Sequence, residues 1–288
     1  MPKGGQPMPI DRTTKMYIGG KQARPDNGYS ISIKNRLGEY IGEVSDGSRK
    51  DIRNAVEAAS KASAWGAVTA HNRAQVLYYI AENLSARSIE FSGRLQAMGH
   101  KPKAARDEVE LSIRRIFYYA AQADKYDGRV HATRSRNVTL AMNEPFGVAG
   151  VLCPDDAPLL GFVSLVMPLL AMGNRVVAVP AASMPLAVTD FYQVLETSDV
   201  PDGVVNIVTG DREELAKTLA DHDEVATLWY HGNATGCAAV EKASAGNLKS
   251  TWTNHGKQFD WSIETQAQGE DYLRHATQVK NIWIPYGE

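Results

Sequence analysis

Apolar and polar residues along this chain follow both strand and helix periods, and from Val148 the elements they mark begin to alternate regularly. Before that point, 16–21 (MYIGGK) and 29–33 (YSISI) read as short strands set off by Gly and Pro turns. Ser48 and Asp51 have the spacing of a capping box, and Ile52, Val56, Ala59 and Ala62 follow on one helical face. Leu77, Ile80, Ala81 and Leu84 mark a second helix, and Val109, Ile113, Ile116 and Ala120 a third. From Val148 onward strands and helices alternate: strands at 148–153, 175–179, 204–208, 225–230 and 249–253, helices at 158–172, 185–197, 212–220 and 234–243. Short connections between such elements predict a parallel, doubly wound sheet, because right-handed crossovers place helices on both of its faces. The earlier helices form an extra layer against it.

Two segments fit neither layer. Residues 137–142 (NVTLAM) read as a strand before the sheet and 278–284 (QVKNIWI) as one after it. In the latter, Ile282, Trp283 and Ile284 are apolar on both parities, so both faces call for cover. Between sheet and final strand, 262–270 (SIETQAQGE) is polar and suits a linker. Residues 1–15, Pro- and Gly-rich at the start, suit a flexible lead without the apolar core of a signal peptide.

Composition narrows the partners. The 288 residues are 43% hydrophobic and 22% charged with a net charge of −2, which suits one large or two smaller globular domains. That charge gives no electrostatic reason to bind nucleic acid or an anionic membrane. The apolar run at 157–172 is too short to span a bilayer. Two cysteines, Cys153 and Cys237, make neither a disulfide framework nor zinc-ligand spacing, so a reducing cytoplasm is the expected compartment.

The stretches 143–160 (NEPFGVAGVLCPDDAPLL), 170–180 (LAMGNRVVAVP) and 200–210 (VPDGVVNIVTG) resemble the nucleotide-binding domain of aldehyde dehydrogenases. The resemblance runs from Met16 to about Lys257 and resumes at 276–286 (ATQVKNIWIPY). It implies an α/β fold with a Rossmann-type doubly wound parallel sheet over 16–136 and 143–257, and a small β oligomerisation flap from 137–142 and 276–286. Between the two stretches the family carries a catalytic domain with its nucleophilic cysteine. Here 18 residues, 258–275, stand as a linker in its place, the mark of an internal deletion.

The resemblance also says where the chemistry belongs. Asp155 and Asp156 stand where the family has Trp and Asn, whose Asn donates to the developing oxyanion. An ionised carboxylate cannot donate. Val179 and Ala182 stand where a Lys and a Glu grip the adenine ribose. Gly210 closes the loop after the third strand. Gly232 keeps the turn under the pyrophosphate, with Asn233 in place of Ser, and Thr253 replaces the catalytic Glu. Each lost ribose contact forfeits roughly 1–3 kcal/mol. An acidic pair about 5 Å from a phosphate adds repulsion on the order of 3 kcal/mol at an effective dielectric of about 20. No cofactor is therefore expected, or NAD only weakly.

Five residues, in three groups, have two further readings each. Cys153 and Cys237 are either nucleophiles or small buried hydrophobes. His231 is either a base or ligand, or a loop histidine. Asp155 and Asp156 either hold a divalent cation, or form a solvated loop or helix N-cap.

The resemblance is nearest to the degenerate second half of the two-module aldehyde dehydrogenases of family 16. It implies a non-catalytic protein that assembles, as a homodimer or with an active aldehyde dehydrogenase subunit, by strand addition. Two alternatives stand beside it. One is an NAD(P)-dependent aldehyde oxidoreductase completed by a partner chain, and the other a small-molecule binding module using the vacated crevice.

Overall fold

The computed structural model describes residues 13–35, 37–134 and 136–286. The N-terminal part supplies β1 (Met16–Ile18), β2 (Lys21–Ala23), β3 (Ser30–Lys34) and β4 (Tyr40–Ser45). Four helices follow, α1 (Arg49–Lys61), α2 (Ala70–Ala86), α3 (Ser88–Ala97) and α4 (Pro102–Gln122). Two strands, β5 (Arg129–His131) and β6 (Asn137–Pro145), lead into the alternating region. That region runs β7 (Val148–Leu152), α5 (Pro158–Ala171), β8 (Arg175–Val179), α6 (Leu186–Asp190), α7 (Tyr192–Glu196) and β9 (Val205–Ile207). It continues with α8 (Arg212–Asp221), β10 (Val225–Tyr230), α9 (Ala234–Ser244) and β11 (Ser250–Thr253). The tail adds α10 (Glu264–Ala267), α11 (Glu270–His275) and β12 (Thr277–Pro285).

The main sheet has the order β11-β10-β7-β8-β9-β1-β2, with β7 to β11 parallel and β1 and β2 added antiparallel beside β9. The chain winds outward from β7 in one direction and then in the other, so the order reverses between β7 and β10. In a doubly wound sheet the ligand crevice opens at that switch point, at the carboxyl ends of the strands. One face is covered by α2, α4, α5, α6 and α7, the other by α1, α8 and α9. Every residue of α5 is buried, as an all-apolar helix between layers requires. No helix among the described residues is long and apolar enough to cross a membrane.

Local rules account for several boundaries. Ser48 opens α1 with the expected capping box, Asp51 Oδ2 accepting from the Ser48 backbone at 2.8 Å. The single helix expected over 185–197 is two. Phe191 breaks it, its N–H donating back three residues to Val188 and its ring wedged edge-on against Phe91 and Phe162. Of the expected flexible lead 1–15, residues 1–12 lie outside the described residues, and Thr14 exchanges backbone hydrogen bonds with Glu43 and Ser45. Helix α3 was not anticipated at all.

The expected polar linker at 258–275 is folded. Trp261, Ala267, Tyr272 and Leu273 are buried, and α10 and α11 pack with them. Tyr272 packs against Trp229 of β10 and Trp252 of β11. Polar composition concealed this because the four anchoring residues follow no helical or strand period and are outnumbered by exposed ones.

The two odd strands pair with each other. β12 runs antiparallel to β6 over all nine residues, and β5 adds to the other side of β6, giving a ribbon of order β12-β6-β5.

Candidate functional site

The loops at the carboxyl ends of β7 to β11 form a crevice with two unlike halves. The half above β8, β9 and the start of α9 is open. Ala182 and Asn233 are exposed and Gly210 is half-buried. The half between β7, β10 and β11 is filled by the chain's own side chains.

In the open half, polar groups are already matched. Asn233 Oδ1 accepts from Gly236 N at 2.8 Å, so the residue caps α9. Gly210 has φ +154°, and a Cβ there would lie 2.5 Å from the Gly47 carbonyl, so its glycine serves a loop-to-loop approach. Val179 does not line the crevice: its side chain is buried in the core beneath α1 and α8. Gly232 is held from below, its N–H donating to Asn254 Oδ1 at 3.1 Å.

The filled half is organised by residues whose roles the sequence did not reveal. Arg212, the first residue of α8, donates to the carbonyls of Cys153 and His231 and lies 4.9 Å over the Tyr230 ring. Tyr230 bonds Glu213 at 2.8 Å, and a Cβ on Gly236 would sit 1.9 Å from its hydroxyl, so only glycine fits there. Asn254 ties two loops together, donating to the Gly232 and Lys257 carbonyls and accepting from Cys237 Sγ at 3.2 Å. Arg115 of α4, 1% exposed, donates to Ser164 Oγ at 2.6 Å, to the Trp261 carbonyl at 3.0 Å and to Gln268 Oε1 at 3.3 Å. This clamps the tail to α5.

Several expected roles are corrected by this geometry. Neither Asp155 nor Asp156 caps α5. Glu108 of α4 does so from a distance, its Oε1 accepting from Leu159 N and Leu160 N at 2.9 and 3.1 Å. Asp156 Oδ1 instead accepts from Trp261 Nε1 at 3.1 Å. Among the described residues no group of three or more His, Cys, Asp or Glu is placed to hold a metal ion. His231 lies in the loop after β10, and that loop position is buried. It is 2% exposed, ringed by Trp252, Phe259 and Trp261, and burial drives its pKa down to about 3, with Arg212 adding to the effect. Its Nδ1 has no hydrogen-bond partner among the described residues.

The nucleophile reading of Cys153 fails on the same ground. Its side chain is fully buried, and burial pushes the thiol up to about 12, partly offset by Arg212. Cys237 is buried as well. The hydroxyl of Thr253, at the expected base position, donates to Glu241 Oε1 at 2.8 Å and is 6% exposed.

Comparison with known proteins places this scaffold. The model of the aldehyde dehydrogenase family matches residues 24–279. The chain belongs to the aldehyde dehydrogenase family. It is 30% identical over 245 residues to an aldehyde dehydrogenase of Agaricus bisporus, covering 82% of this chain and 49% of that protein. The NAD-dependent aldehyde dehydrogenase of Sinorhizobium meliloti superposes with a TM-score of 0.81 at 24% identity, over 85% of this chain and 50% of that one. A betaine aldehyde dehydrogenase of Staphylococcus aureus, solved in complex with NAD+, gives a TM-score of 0.80 at 23% identity, over 84% and 49%. The chain thus spans about half the length of these aldehyde dehydrogenases. NAD+ is the ligand bound in that Staphylococcus aureus structure.

Proposed function

We propose that this chain is a non-catalytic member of the aldehyde dehydrogenase family that works by assembly, as a homodimer or beside an active aldehyde dehydrogenase subunit in a reducing cytoplasm. On this reading 258–275 replaces a catalytic domain, and the nearest likeness is the degenerate half of the two-module enzymes. The observation that carries it is the placement of Trp261. The tail covers the last two strands of its own sheet and lodges this indole against His231 and Asp156, at the switch point where reacting groups would meet.

The residues present do not fit NAD in the family's manner. Val179 lies in the core, Ala182 has no hydrogen-bonding side chain, and Asn233 already caps the helix whose amides would face the pyrophosphate. Nor does the site offer a nucleophile, since a thiol held near 12 is scarcely ionised at neutral pH.

The catalytic relatives favour one competing reading, an NAD(P)-dependent oxidoreductase completed by a partner chain. One assay separates the two. Purified protein should show no aldehyde-dependent reduction of NAD or NADP. Turnover that persists through repurification and vanishes in Cys153→Ala or Cys237→Ala would establish the competing reading.

A further inference from the structure

We propose that the groove between the two N-terminal hairpins and helices α3, α6 and α7 binds a small organic phosphate. The site is independent of the assembly reading, and it shares no lining residue with the crevice loops that follow β7 to β10. Its volume of about 1180 Å³ has room for a sugar phosphate or a mononucleotide, since small-molecule pockets measure about 300–1,000 Å³. Two observations assign the ligand class.

The first is an unrelieved like-charge pair. β1 and β2 pair Met16 with Ala23 and Tyr17 with Gln22, and the next step of that register sets Lys15 opposite Arg24. Directly opposed residues in an antiparallel pair have Cβ atoms about 5 Å apart, and like charges so placed repel. Alternate side chains share a face, so both cations follow Tyr17 and Gln22. That face looks toward α7, where the Tyr192 ring lies 6.2 Å from the ring of Tyr17. Lys15 and Arg24 line the groove, and among the described residues neither side chain has a hydrogen bond or an ion pair. A hairpin that ends on two opposed, unpaired cations is stabilised by an anion held between them.

The second is a third cation already fixed in another wall. Arg94 of α3 donates from Nε to Asp190 Oδ2 at 2.6 Å, and that carboxylate is only 14% exposed. The pair holds the guanidinium in place and leaves its two terminal nitrogens for a ligand. On α7 the Gln193 amide oxygen accepts from Arg87 at 2.9 Å, which leaves its NH2 to donate. Asp190 is the one acidic residue among the described residues that line the groove. Glu43 does not line it, and its Oε2 is engaged by the hydroxyls of Thr13 and Ser30 at 3.1 and 3.0 Å. Three cations against one carboxylate leave two positive charges, the complement of a phosphomonoester at about −2. A carboxylate ligand would neutralise only one of them. Tyr29 and Tyr40, both exposed, line the same groove and offer ring faces to the organic body.

Calorimetric titration of the full chain with glucose 6-phosphate, AMP, inorganic phosphate, glucose and adenosine tests this. At least one ester should bind with a dissociation constant below about 1 mM. It should bind at least about tenfold more tightly than inorganic phosphate and than its own unphosphorylated parent. The tighter ester tells whether the body is a sugar or a nucleoside. Lys15 and Arg24 are exposed, so Lys15→Gln and Arg24→Gln should leave circular dichroism unchanged while each weakens the ester at least about tenfold. With the repulsion relieved, each variant should melt no lower than the unaltered chain, and the ester should no longer raise its midpoint.

No binding by either ester, or binding that both variants leave unchanged, overturns the site. Inorganic phosphate bound as tightly as the esters overturns the organic ligand. Either failure leaves the assembly reading untouched, because that reading makes no use of this groove.

Discussion

Two consecutive stretches of the tail treat their aromatic side chains in opposite ways. In 258–276, Trp261 is 3% exposed, against His231 and Asp156, and Tyr272 is equally buried, against Trp229 and Trp252 of the sheet's last two strands. In 277–286, Trp283 is 60% exposed and Tyr286 56%. The first stretch finishes a core that the parallel sheet alone leaves open. The second leaves apolar area on the surface, which marks an interaction face when it is contiguous. One tail therefore seals the crevice and presents a ribbon, and the two functions can be broken separately.

The largest contrast is between the two tryptophans. Trp261→Ala empties a buried site and should cost about 3–5 kcal/mol of unfolding free energy in a denaturant titration. Trp283→Ala, measured in dilute protein, should change it by no more than about 0.5 kcal/mol. Comparable losses from both would show that the ribbon is as integral to the fold as the seal.

Acid should act on the sealed half. His231 titrates near 3 when folded, against an ordinary value near 6.5. Between those values only the unfolded chain takes the proton, so stability is full above about pH 6.5 and is lost as pH falls toward 3. By pH 5 the loss attributable to this group is on the order of 2 kcal/mol. His231→Gln should flatten that part of the stability–pH curve. An unchanged slope would place the acid sensitivity elsewhere.

The smallest effect is at Asp156. Partial burial against Trp261 raises its carboxyl pKa, yet the residue stays more than a third exposed, so solvent screens most of the consequence. A raised folded-state pKa favours the protonated form, so its stabilising share is present in acid and disappears as pH rises through that pKa. Asp156→Asn keeps an acceptor for Trp261 Nε1 without the charge. It should raise the denaturation midpoint slightly at neutral pH, with the gap closing in acid. A lowered midpoint would mean that the charge itself holds the indole.

The residues that seal the crevice were the least legible from sequence, and the reason is separation along the chain. Apolar period sufficed for β7 to β11 because each element carries its own pattern, and the Ser48 capping box is complete within four residues. Arg115 reaches Trp261 across 146 positions and Asp156 reaches it across 105. Asn254 meets Gly232 across 22. No local spacing signals such pairs. Glu108 likewise caps a helix that begins 50 residues later, so the Asp155–Asp156 pair beside that helix was the natural but mistaken choice. The two long strands of the ribbon show in their apolar residues, Val138, Leu140, Ala141 and Met142 in one and Ile282, Trp283 and Ile284 in the other, whereas β5 has only Val130.

The central claim is that the crevice no longer serves NAD, and calorimetric titration of NAD into the purified full chain tests it most directly. With Val179 in the core, Asn233 capping α9 and Trp261 at the switch point, the account predicts affinity weaker than about 1 mM, where binding free energy falls below roughly 4 kcal/mol. Saturable binding with a micromolar dissociation constant to the unaltered protein would contradict it.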